Sequence, residues 1–74
     1  MTTPTSDTVF IESLTPRERQ VAEAVSRGLT NRQIGQEFGI SAETVKRHLC
    51  SIYGKLALHG RVALAIHVIR SRAA

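Results

Sequence analysis

A chain of 74 residues has room for one small domain with a modest core, and its 42% apolar content suits a folded rather than a disordered class. It lacks a run of about 18 apolar residues that could span a bilayer, a secretory leader in MTTPTSDTVF, and a second cysteine for an internal disulfide, so a reducing cytoplasm is the expected setting. The net charge of +4 is uneven: residues 1–13 hold Asp7 and Glu12 and no base, while residues 14–74 hold ten Lys and Arg against four Glu, a net of +6 that favours a polyanionic partner, nucleic acid or an anionic membrane surface, over ordinary surface charge.

Residues 1–13, rich in Thr near their start, read as a flexible arm or the remnant of a linker, and residues 14–74 as the domain. In LTPRERQVAEAVSRGL, Thr15 is placed to cap a helix, Pro16 suits its first position and Glu18 completes a capping box. Leu14 can staple onto this helix. Val21, Ala24, Val25 and Leu29 recur at helical spacing, with Arg17, Arg19, Glu23 and Arg27 on the other side, so the spacing predicts a first helix over about 16–27 that stops at Gly28. TNRQIGQEFG predicts a short second helix capped by Thr30 or Asn31, anchored by Ile34 and Phe38 and ended by Gly39. Gly39 to Ser41 then make a connection of the length that joins the helices of a helix-turn-helix.

Ser41 opens a third helix over about 42–56. Val45, Leu49, Ile52 and Leu56 share one stripe, with Tyr53 at its edge, while Glu43, Lys46, Arg47, Cys50 and Gly54 take the opposite one. After ALHG a fourth helix is expected over 61–72, with Arg70 and Arg72 suiting its C-terminal dipole. Val62, Ala63, Ile66 and Ile69 are enough to cover a core. Leu64, Ala65 and Val68 then form a second apolar stripe, read as a self-association surface.

LTPRER, GLTNRQIGQEFGIS and above all TVKRHLCSIYGKL together resemble the LuxR/GerE-type helix-turn-helix, the DNA-binding domain of NarL-like response regulators and quorum-sensing regulators, from about Leu14 to Arg70. The resemblance implies an all-α, four-helix bundle that dimerises and binds double-stranded DNA as a transcriptional regulator at the bacterial nucleoid, with the third helix in the major groove and RNA polymerase as a further partner. Two positions depart from it. Ala57 stands where the family usually has Gly, which suggests a different exit from the third helix, and Ala63 stands where it has a polar Gln or Glu.

On such a reading helix the base edges are reached from the N-terminal turns, on the stripe that packing leaves free. The candidate base readers are Lys46, Arg47, Cys50 and Glu43: the two bases can donate to guanine, the thiol can make apolar contact with a thymine methyl, and the acid can accept from cytosine. Phosphate contacts are expected from Asn31, Arg32, Ser41, Thr44, His48 and Lys55, and the dimer interface from Leu64, Ala65 and Val68. No catalytic residues, cofactor or metal site suggest themselves, since His48, His59, His67 and Cys50 lack close ligand spacing and no Asp follows Asp7. A sigma-factor-like promoter module, dependent on polymerase, and a protein-interaction module without DNA binding are the alternatives.

Overall fold

The computed structural model describes residues 13–73. They form four helices, α1 (Pro16–Ser26), α2 (Asn31–Phe38), α3 (Ala42–Leu56) and α4 (Arg61–Ala73), with no strand among the described residues, so the chain is all-α as its periodicity predicts. The arm expected over residues 1–13 lies, apart from Ser13, outside the described residues.

Each of the first three helices starts where a side chain satisfies otherwise unpaired backbone N–H groups. Thr15 Oγ1 accepts from Glu18 N at 3.1 Å and Glu18 Oε1 accepts from Thr15 N at 2.9 Å. Thr30 and Gln33 repeat this reciprocal arrangement on α2, which makes Thr30 the cap rather than Asn31. Ser41 caps α3 by accepting from Thr44 N at 3.0 Å. Gly39 ends α2 in the left-handed conformation at φ 69°, and only Ile40 and Ser41 separate it from α3.

One core holds the helices together. Leu14, Val21, Ala24 and Val25 from the first segment meet Ile34 of α2, the Val45–Leu49–Ile52–Leu56 stripe of α3, and Leu64 and Val68 of α4. α4 packs mainly on α1, while α3 packs on both α2 and α1. Where α2 meets the turn into α3, a β-carbon on Gly35 would lie 2.5 Å from the carbonyl oxygen of Ile40, whose own N–H bonds back to the Gly35 carbonyl at 2.9 Å.

Two expectations are corrected. Leu64 and Val68 are buried in the monomer core and Ala65 is half-buried against it, whereas Val62, Ile66 and Ile69 are 72%, 50% and 52% exposed. The residues read as a dimer surface are therefore the core stripe of α4, and three of those read as core form the exposed one. Both sets repeat at helical spacing, so periodicity alone does not fix the rotation of the helix. What fixes it is Arg61, on the Leu64–Val68 stripe, which donates to the Leu29 carbonyl at 2.6 Å and to Asn31 Oδ1 at 2.7 Å and so turns that stripe inward. The second correction concerns Ala57. It leaves α3 at φ 54° and ψ 44°, with its N–H bonded to the Tyr53 carbonyl, so the exit is the left-handed one that glycine would provide.

Glu18 does more than cap. It is only 5% exposed, accepts from Ser51 Oγ at 2.7 Å and pairs with Lys55 Nζ at 2.7 Å, fastening the start of α1 to the last two turns of α3. Burial opposes its ionisation, but the bonds from Lys55, Ser51 and the Thr15 backbone outweigh burial and lower its pKa from the ordinary 4.5 to about 2.

Two outcomes follow. Replacing a helical glycine by alanine normally gains about 0.5–1 kcal/mol, but Gly35→Ala should lose roughly 1–3 kcal/mol because a backbone carbonyl must shift to admit the methyl group. Thermal and urea unfolding of the two proteins give the sign. For Glu18, a folded pKa below the unfolded one means that its contribution is complete above about pH 4.5 and is lost as the pH falls toward 2. With Lys55 more than a third exposed and partly screened, that contribution is on the order of 2 kcal/mol. Urea unfolding at stepped pH should show a stability gap between wild type and Glu18→Gln at pH 6 that closes toward pH 2.

Candidate nucleic-acid interface

The inward stripe of α3 is consumed by the core, which leaves its first three turns presenting Glu43, Lys46, Arg47 and Cys50 to solvent. Among the described residues, the side chains of Lys46 and Arg47 make no hydrogen bond or ion pair. The reason lies in where the acids sit. Glu18 takes Lys55, Glu37 takes Arg27 at 2.7 Å, and Glu23 takes Arg72, so three of the four described glutamates are spent away from the outer stripe of α3. In the exposed Arg27–Glu37 pair, the hydrogen bond raises the arginine pKa and lowers that of the glutamate. Glu43 alone shares the outer stripe, in the first turn where a negative charge suits the helix dipole.

At the head of α3, Ser41 Oγ and Thr44 Oγ1 share a hydrogen bond of 2.9 Å while Ser41 also caps the helix. Two hydroxyls that share one proton leave the other proton to donate, so this corner offers an O–H to an anion at a positive helix end. Arg32, one residue into α2, is exposed, and its side chain makes no hydrogen bond or ion pair among the described residues. Asn31 beside it is half-buried, with its Oδ1 held by Arg61. His48 is half-buried between the two stripes of α3.

The structure thus brings Glu43, Lys46, Arg47 and Cys50 onto one exposed stripe and Ser41 and Thr44 to its N-terminal end. It does not bring Lys55 with them. That ammonium, expected at a phosphate, is committed to the buried Glu18 carboxylate at the far end of α3, and the low pKa of Glu18 keeps that carboxylate ionised. Cys50 is an exposed free thiol one turn beyond Lys46 and Arg47. Tyr53, on the edge of the buried stripe, has its phenol pKa pushed up by burial, against the opposing pull of nearby Arg61.

Two residues that position this surface went unread as such in the sequence. Glu18 carries a capping signal but no signal for its bonds to residues 33 and 37 positions away. Arg61 begins α4 as one more base in a basic chain, and nothing local marks its reach back to Leu29 and Asn31. Among the described residues no single helix is long and apolar enough to cross a membrane.

The family of bacterial regulatory proteins described as luxR matches residues 12–68. Among individual proteins, the chain is 48% identical over 63 residues to the probable transcriptional regulatory protein SgaR of Hyphomicrobium methylovorum, covering 84% of this chain and 30% of that protein. It is 43% identical over 56 residues to a nitrate/nitrite response regulator protein homolog of Haemophilus influenzae, covering 76% and 27%. It is 38% identical over 60 residues to the transcriptional regulatory protein LiaR of Bacillus subtilis, covering 81% and 28%. The chain therefore spans less than a third of the length of each of these three relatives.

Proposed function

The chain belongs to the luxR family of bacterial regulatory proteins, and from that premise we propose that it is a homodimeric transcriptional regulator that binds double-stranded DNA with α3 in the major groove. The observation that carries this reading is the pair Lys46 and Arg47: uncompensated, exposed, and in the first turns of a helix whose opposite stripe is buried. In a major groove those two donate to guanine edges, Arg47 in bidentate fashion, while Cys50 offers an apolar contact and Glu43 an acceptor. Ser41, Thr44, Asn31 and Arg32 supply phosphate contacts around them, with His48 at the margin. Lys55 has no part in this reading.

Dimerisation is carried by α4 on its outward stripe, Val62, Ile66 and Ile69, in place of the stripe expected from sequence. Three large exposed apolar side chains on one helix of so small a domain are the support for pairing with a second copy. Two copies of α3 then address half-sites about one helical turn, roughly 10 base pairs, apart. The work is at the bacterial nucleoid, and the likeness to a response regulator supports a place among signal-driven regulators, with RNA polymerase as the downstream partner.

Selection of binding sites from random duplex DNA, without RNA polymerase, tests the whole reading. A two-fold symmetric motif is the expected result, and no enrichment above background overturns it; binding that appears only with polymerase present indicates a promoter-recognition module instead. On the selected site, Arg47→Ala should cost ~1–3 kcal/mol and relax base choice at one position, whereas Arg32→Ala should weaken selected and random sequences alike and lower the salt dependence by about one counterion. Equal losses for Arg47→Ala on both kinds of DNA would remove it as a base reader. For the pairing surface, Ile66→Glu should leave the fold intact and convert the DNA complex from two copies to one by light scattering. Leu64→Ala should instead lower monomer stability by about 2–5 kcal/mol in thermal unfolding.

A further inference from the structure

Arg61 stands at the first position of α4, yet its guanidinium is engaged entirely elsewhere. Nη1 donates to Asn31 Oδ1 at 2.7 Å and Nη2 to the Leu29 carbonyl at 2.6 Å, in a half-buried position where one planar fork spans the last residue before the cap of α2 and the first residue after it. A guanidinium only donates, so the Asn31 amide has one permitted orientation: its oxygen faces Arg61 and its two N–H donors face the other way. Those donors have no partner among the described residues. Nor is the Asn31 side chain spent on capping, because Thr30 and Gln33 already close the end of α2 on each other at 3.1 and 2.9 Å. Beside Asn31 lies the uncompensated Arg32, and the positive end of the α2 dipole acts in the same direction.

We propose that Arg61 is a positioning residue for DNA binding: by holding the Asn31 oxygen it presents the Asn31 amide N–H groups to a phosphate, and it makes the head of the pairing helix α4 and the phosphate-contacting end of α2 one rigid unit. The proposal rests on the DNA-binding reading above and assigns Arg61 no phosphate of its own. Lysine in its place keeps the charge but, as a point donor on a flexible stem, does not reproduce the planar fork across Leu29 and Asn31.

The test uses the full chain and a short fluorescently labelled duplex of random sequence, titrated over a range of salt, with circular dichroism to confirm that each variant is folded. Arg61→Lys should weaken binding about tenfold with an unchanged salt slope, and should cost little more when Asn31 is already alanine. Asn31→Asp keeps, and strengthens, the acceptor for Arg61 but replaces the amide donors by a charge that repels phosphate, so it should unfold at a temperature equal to or above wild type and bind at least tenfold more weakly. That variant keeps the assignment falsifiable even if Arg61→Lys does not fold. Wild-type affinity in Asn31→Asp, or an equal loss from Arg61→Lys with and without the Asn31 side chain, overturns the assignment. A wild-type chain that fails to bind the duplex at low salt overturns the DNA-binding reading itself.

Discussion

The close approach at Gly35 governs the rest of the domain. Where a β-carbon would stand, the carbonyl of Ile40 stands instead, so the backbone of α2 and the turn into α3 meet without a side chain between them. That contact brings the turn into α3 directly onto α2. From there the Val45–Leu49–Ile52–Leu56 stripe joins Ile34 and the α1 core residues while the stripe with Lys46 and Arg47 stays in solvent. A wider turn would force a choice between filling the core and exposing the cationic stripe.

A core this small leaves much of the orientation of the helices to polar fasteners, and two of them work as a pair. Glu18 binds the start of α1 to the end of α3 through Ser51 and Lys55. Arg61 binds the start of α4 to the junction of α1 and α2. Each joins a helix terminus, where backbone groups lack internal partners, to a segment far away in the chain, and each uses a charged group with several good bonds, which is the condition under which a poorly solvated charge is tolerated. Of the three paired glutamates only Glu18 is buried and fastens strongly, since the Glu37 and Glu23 pairs are exposed, but all three stand away from the outer stripe of α3 and leave it positive.

What could be read in the sequence was what depends on near neighbours. The caps at Thr15 and Ser41, the stop at Gly39 and the two faces of α3 follow from side-chain chemistry within four residues, and all stand in the structure as read. α4 resisted because Val62–Ile66–Ile69 and Leu64–Ala65–Val68 are equally good apolar stripes, and the choice between them was made by a bond from Arg61 to residues 30 and 32 positions earlier. The misreading of Lys55 has the same origin: its partner lies 37 positions away. Ala57 departs for another reason: alanine usually avoids left-handed backbone, which points to a different exit, yet the Tyr53 carbonyl captures its N–H as it would a glycine's.

That alanine also has a mechanical meaning. It is the first of four residues between the helix that would read DNA and the helix that would pair two copies, and in left-handed backbone alanine has a much narrower range of angles than glycine, such as Gly60 at the other end of the connection. α4, with 13 residues, is a lever about 20 Å long. A rotation of roughly 10° at its root would carry its tip about 3–4 Å, close to the rise of one base pair. Should two such domains pair on DNA, the variation in half-site spacing they tolerate would depend on this connection as a whole: Ala57 narrows it at one end, Gly60 relaxes it at the other, and the Arg61 fork with the buried Leu64 and Val68 holds α4 against the swing.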